Sequence, residues 1–209
     1  MNAGLASDPL PESALIAAAV ANVERCGMRP WGLHGLAHWW RVRHNGLLVA
    51  DAIGANPRVI ALFAIFHDSH REDDGYDREH GPRAAAWLAR VRDGDYTAHG
   101  ACETTFAAIR ALDDAAFTSL HAACELHTSA THHDDPSVAA CFVADRLDLS
   151  RVGYRPDPNR MPKSAALSSL LTRDLIDAAI ARERATLTWP GGSDIEHIWG
   201  VRFNARTRD

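Results

Sequence analysis

Apolar residues return every three or four positions along nearly the whole chain, and no strict apolar/polar alternation runs long enough to specify a strand. Glycine and proline punctuate the periodic stretches where helices stop and start. A first helix is expected over about residues 11–25, between Pro9 and Gly27, and a second over about 34–53, closed by Gly54. Pro57 opens a third that ends near His67-Asp68. A fourth covers about 81–92 after the polar loop "REDDGYDREHG", followed by helical stretches at about 101–112 and 114–128. Pro136 opens another to about Leu149. The segment "RVGYRPDPNRMPK" is broken by prolines and reads as an irregular surface loop. A long helix over about 164–186 carries Leu167, Leu170, Leu171, Leu175, Ile176 and Ile180 at helical spacing, and the tail "TWPGGSDIEHIWGVRF" reads as a short hairpin or an extended strap. The pattern predicts an all-α, single-domain helical bundle over residues 1–209, with the segment 164–209 packed on the core.

The third helix has no polar face. Val59, Ile60, Leu62, Phe63, Ile65 and Phe66 cover it, so it belongs in the interior. It nevertheless runs straight into His67-Asp68, and burying an ionised carboxylate without a partner costs roughly several kcal/mol. The same conflict recurs elsewhere. His38 borders the arc of Trp39, Val42, Val49 and Ile53; Asp145 lies within the stripe of Val138, Cys141, Phe142 and Leu149; His127 tops the stripe of Ala116, Leu120 and Ala123. Taken singly, each has an ordinary explanation: a hydrogen-bonded core histidine, or an aspartate paired with Arg41 or Arg146. Two histidines and two aspartates projecting inward from three helices point together to a divalent cation. It neutralises both carboxylates and engages both imidazole lone pairs, satisfying four otherwise costly groups.

Composition narrows the setting. Twelve histidines is a high count for 209 residues and agrees with metal chemistry. A net charge of −5 argues against a nucleic-acid polymer as partner, because phosphate backbones demand a basic surface. Cys26, Cys102, Cys124 and Cys141 form no CxxC pair and read as free thiols of a reducing compartment. The N-terminus lacks a basic flank followed by an apolar core, and no apolar run approaches a membrane span. The expectation is a cytoplasmic chain with no membrane partner; its oligomeric state is not legible.

Three stretches, "HGLAHWWRV" (34–42), "FHDSHRED" (66–73) and "ADRLDL" (144–149), resemble the ordered motifs of the HD superfamily of metal-dependent phosphohydrolases. The resemblance covers about residues 30–155 and rests on the context of each motif, since a bare HD dipeptide carries no weight. It implies an HD-type helical fold with one metal held by His38, His67, Asp68 and Asp145, which leaves about two positions of an octahedral ion open. It further implies hydrolysis of a phosphomonoester or phosphodiester of a small phosphorylated metabolite, a nucleotide first of all, with metal-bound hydroxide as nucleophile. The ion is manganese, magnesium, cobalt, nickel, zinc or iron; mixed N/O ligation does not choose. In dinuclear members two further histidines in this order hold a second metal. His80 and His127 match that order, with His132 and His133 as rivals for the later place. Asp68, Arg71, His80 and His127 are then the catalytic candidates.

Departures from better-known members withhold the substrate. Alarmone hydrolases resemble "HDxxED", and single-domain 5′-nucleotidase relatives carry a glutamate where Arg71 stands; here the two places are Arg71 and Glu72. Arg71 has two readings, a phosphate clamp or a counter-charge to Glu72, Asp73 and Asp74. Arg41, one turn after His38, is read as pointing away from the apolar arc in a structural role. Asp148 reads either as an orienter of a ligand histidine or as a proton acceptor. Arg155, Arg160 and Lys163 read as lining the pocket mouth or as a solvated basic loop. Two readings of other classes stay open: a mixed-valent di-iron oxygenase related to inositol oxygenase, which shares the six-ligand order, and a non-catalytic metal- or ligand-binding relative. A structural zinc site is disfavoured, because His38, His67 and Asp145 lie too far apart in the chain and no thiolates join them.

Overall fold

Helix boundaries follow local capping chemistry in the computed structural model, which describes residues 17–18, 21–22, 32–95, 97–98 and 102–186. Helix α1 (Leu36–Ile53) ends where Gly54 takes a left-handed φ of 68°. Helix α2 (Pro57–Phe66) starts with Asn56, whose side chain accepts from the Arg58 amide, and with Pro57 at its first position. Helix α3 (His80–Arg92) and helix α4 (Glu103–Arg110) follow. The Asp113 carboxylate accepts from the Ala116 amide to begin α5 (Asp114–Leu126), and Asp135 caps α6 (Pro136–Arg146) in the same way. Short 3₁₀ turns at Leu149–Val152 and Pro158–Arg160 lead to α7 (Ala165–Leu170) and α8 (Arg173–Thr186). Among the described residues the chain is all-helical, as its periodicity predicts.

Helix α2 is the axis of the core. Every residue from Val59 to Phe66 is buried, and α1, α5 and α6 pack around it while α3 lies across α5. In its last turn the Asn22 side chain donates to the Ile65 carbonyl at 2.7 Å. Close approach between α1, α2 and α6 depends on Gly46. A Cβ there would lie 2.5 Å from Ile60 Cγ2 and 3.2 Å from Ala144 Cβ, so the helices carrying His38, His67 and Asp145 meet over a residue with no side chain. Among the described residues no helix is long and apolar enough to cross a membrane.

Two expectations are corrected. The helix from Pro136 ends at Arg146 and tightens into the 3₁₀ turn at Leu149–Val152, where Gly153 turns the chain with φ 84°. The long helix expected over 164–186 is two helices. Leu171 leaves helical geometry at ψ 53°, and the Thr172 hydroxyl accepts from the Leu175 amide, so a new helix is capped inside an unbroken apolar stripe. Within the first expected helix, Ala17, Ala18, Ala21 and Asn22 are helical; its remainder, Cys26 and the tail from 187 onward lie outside the described residues.

Candidate metal centre

Five helix ends converge on one buried point. His38 lies in the first turn of α1, His67 and Asp68 follow the last residue of α2, and His80 opens α3. His127 follows the last residue of α5, and Asp145 sits in the last turn of α6. The structure therefore brings together all six metal-ligand candidates of the sequence, as two triplets: His38, His67 and Asp145, and Asp68, His80 and His127. Asp68 joins them. Its Oδ2 lies 3.2 Å from His38 Nε2 and 3.4 Å from His67 Nε2, while its Oδ1 lies 2.9 Å from His80 Nε2 and 3.7 Å from His127 Nε2.

The outer face of each imidazole fixes its tautomer. His38 Nδ1 donates to Asp148 Oδ2 at 2.7 Å, His67 Nδ1 to the Phe63 carbonyl at 3.0 Å, His127 Nδ1 to the Cys124 carbonyl at 2.7 Å, and His80 Nδ1 to the Asp77 carbonyl. Each partner is an acceptor only, so each Nδ1 carries a proton and each ring turns its Nε2 inward. Those nitrogens face one another: His38 Nε2 is 3.0 Å from His67 Nε2, and His80 Nε2 is 2.8 Å from His127 Nε2. Two such nitrogens at that distance need positive charge between them. Asp68 Oδ2 and Asp145 Oδ1 are buried there without a hydrogen-bond partner.

The donor set fits a divalent ion. Neighbouring ligand atoms around an octahedral ion with bonds of ~2.1 Å stand about 3.0 Å apart, which matches the spacing of both imidazole pairs. The Cys124 thiol, pushed far up by burial and by the Asp68 charge, is not among the clustered ligand atoms. Burial would raise Asp68, but the charge on His67 and hydrogen bonds from the facing imidazoles hold its carboxyl well below the usual range. Asp145 is depressed likewise against its burial, first by Arg151 and then by His67 and His38. The Asp145 side chain is 16% exposed while Asp68 and the four imidazoles are 4% or less, although its Oδ1, the atom that faces the imidazoles, is buried.

The surroundings correct several sequence readings. Arg41 is buried and faces inward: its Nε and Nη2 grip both oxygens of Asp148, which in turn orients His38. Arg71 does not answer the acidic side chains of its loop. Its Nε and Nη2 donate to the carbonyls of Asp73 and Gly75, and its Nη1 enters the centre. Arg155 pairs with Asp177 on α8, Arg160 is exposed, and Lys163 lines a cavity of about 490 Å³ with Ala52, Ile53 and Pro136. That cavity lies at the opposite ends of α1 and α6, about 20 Å from His38 by helix rise. His132 and His133 line it too and stand away from the centre, which leaves the later histidine position to His127.

Three contributors escaped sequence reasoning. Arg151 stands 3.8 Å from Asp145 Oδ1, steadied by the Leu33 and Asp148 carbonyls; only its place one turn after Asp148 hinted at this. His34 bonds Asp74 at 2.8 Å and ties the start of α1 to the acidic loop. Gly81 sets the approach of α3 to α5, since a Cβ there would lie 2.6 Å from the Cys124 carbonyl and 3.2 Å from His127 Cε1. Gly81→Ala is therefore expected to force the two helices apart, costing about 1–3 kcal/mol in urea denaturation and weakening divalent binding at His80 and His127. An unchanged unfolding midpoint would show that α3 and α5 accommodate the methyl group.

A second expectation concerns pH. Desolvation lowers His34 to about 4, against the opposing charge of Asp68, and lowers His44, stacked on Trp40, to about 4 as well. Both rings remain neutral in the fold at pH values where the unfolded chain, at 6.5, protonates them. The unfolded state thus binds more protons between 4 and 6.5, and stability falls as pH drops through that window. The urea midpoint of chelator-treated protein should decline across it, and the variant carrying His34→Gln and His44→Gln should show a flatter profile.

No family model, no curated protein and no solved structure matches the chain.

Proposed function

We propose that this chain is a metal-dependent phosphohydrolase that cleaves a phosphomonoester or phosphodiester of a small metabolite, with nucleotides the first class to test. One observation carries the reading: two sets of inward-facing Nε2 atoms share the Asp68 carboxylate, and guanidinium groups, Arg71 and Arg151, stand on either side of them. His38, His67, Asp68 and Asp145 would hold one ion, and His80 and His127 with the other oxygen of Asp68 a second. When bound, such an ion lowers the pKa of a water and polarises a phosphoryl oxygen.

The chain's own groups do the rest. The Nδ1–H bonds fix four ring orientations, so the ligand lone pairs are aimed before any ion arrives. Asp148 holds His38, and Arg41 holds Asp148, in a relay with no exposed member. Arg151 Nη2 lies beside the most exposed carboxylate of the centre, where an incoming phosphoryl group would meet it and where the planar fork suits two of its oxygens. Substrate would approach along the Asp145 edge, the most exposed of the centre, while the apolar α2 excludes water from behind.

The same feature, Asp68 facing a different set of imidazoles with each oxygen, equally suits the di-iron oxygenase, which is the second reading. Elemental analysis of freshly purified protein, with an anaerobic sample alongside, followed by phosphate release from nucleotides and sugar phosphates, separates the two. Release that stops on chelation and returns with added ion supports the hydrolase. Two equivalents of iron with oxygen consumption and no phosphate release would replace it with the oxygenase. No metal after reconstitution with each candidate ion would reject both.

A further inference from the structure

The two triplets are chemically similar but not electrostatically equal. In the one built on His80, His127 and Asp68 Oδ1, a fixed cation is already present. Arg71 Nη1 lies 3.5 Å from Asp68 Oδ1 and 3.1 and 3.3 Å from the two ring nitrogens of His80. Nearly equal distances place it against the ring, off the line of either lone pair, and His80 Nδ1 is in any case donating to Asp77. Arg71 thus touches two of the three ligands of this triplet. The triplet of His38, His67 and Asp145 is approached only by Arg151, at 3.8 Å from one carboxylate oxygen, with no guanidinium against either imidazole among the described contacts.

The placement of Arg71 is built. Its side chain is 7% exposed, and its remaining donors are spent on the Asp73 and Gly75 carbonyls. A guanidinium stays charged at any pH the fold survives, so it cannot yield to an ion by losing a proton. It can only move, and its anchors are carbonyls of an exposed loop, Glu72 to Tyr76.

We propose that Arg71 is a charge gate on the His80–His127–Asp68 subsite: its guanidinium supplies part of the positive charge that the subsite requires, so the second ion binds more weakly than the first. This rests on the metal-binding reading above and adds to it a ranking of the two subsites and the residue that sets it. It also gives the acidic loop a role, because displacement of its carbonyls would release Arg71 and open the subsite.

The test is a cobalt(II) titration of the metal-free full chain under anaerobic conditions, read by equilibrium dialysis and by the visible spectrum of the bound ion. The unmodified chain should take one tight equivalent and a second that is weaker by about tenfold or more. Arg71→Gln should tighten the second by about tenfold and leave the first unchanged, while Arg71→Lys, which keeps the charge, should leave the second weak. If Arg71→Gln does not fold, Arg71→Met, long and uncharged, must give the same tightening. Two equal equivalents in the unmodified chain, or a second affinity indifferent to Arg71→Gln and Arg71→Met, overturns the gate and leaves the metal centre standing. Loss of the first ion in either variant also overturns it, because Arg71 would then support the loop and not the charge balance. A chain that binds no cobalt rejects the metal reading itself.

Discussion

Replacing Asp68 with alanine is expected to empty both subsites at once, because each oxygen of this carboxylate faces a different triplet. No other single side chain does this. Removing His67 or Asp145 takes a ligand from one triplet, and removing His80 or His127 takes one from the other. Metal content and any phosphatase activity should therefore vanish together in Asp68→Ala, whereas His127→Ala should retain an ion at the His38 triplet. The effect on folding runs separately. Without Asp68 the metal-free fold loses the stability that its depressed carboxyl contributes at neutral pH and would give up on acidification. Elemental analysis beside circular dichroism checks both parts. Full metal occupancy in folded Asp68→Ala would remove Asp68 from the ligand set.

Asp148→Asn carries the second large effect, and it acts through stability first. Arg41 and Asp148 are both buried, joined through both carboxylate oxygens, and His38 hangs from the same carboxylate. Burial pushes the Asp148 carboxyl up, but His38 and then Arg41 bring it down, so it stays ionised in the fold. Neutralising it strands the Arg41 guanidinium, at a cost of about 3–5 kcal/mol, a large share of a typical domain's stability. Metal affinity should fall by about 10–100-fold as well, since the residue that orients His38 has changed. Adding Arg41→Met separates the two. The double variant no longer buries an unpaired charge, so its urea midpoint should recover, while an asparagine oxygen can still accept from His38 Nδ1. If the double variant is as unstable as Asp148→Asn, the cost does not come from the stranded guanidinium.

Much of this centre was legible in the chain because burial and polarity conflict only at a few places. An all-apolar helix ending in His67-Asp68, and an aspartate inside the apolar stripe of α6, announce a compensating partner before any coordinates exist. Helix limits set by Gly54, Pro57 and Pro136 were legible for the same local reason. What escaped depends on tertiary approach. Arg41 belongs to the core only because Asp148 comes to meet it from the far end of the chain's packing, and no helical projection of α1 contains that partner. Gly46 and Gly81 look like weak points of helices until the neighbouring helix is placed against them. The break at Thr172 escaped because an uninterrupted leucine stripe outweighs a single hydroxyl in any periodicity reading.

The convergence of five helix ends has a consequence for the order in which this molecule assembles. His38 and Asp145 open and close a long stretch of chain, and their neighbours come from every helix between except α4. No fragment of that stretch can present the full set, so the centre forms only when the closure entropy of its longest loops has been met. An ion that binds there recognises the finished fold alone and stabilises it by mass action, by about 2.7 kcal/mol when present at 100 times its dissociation constant. The centre then acts as a cinch on the whole helical array, and amide exchange in α1 and α6 should slow together as the ion is added.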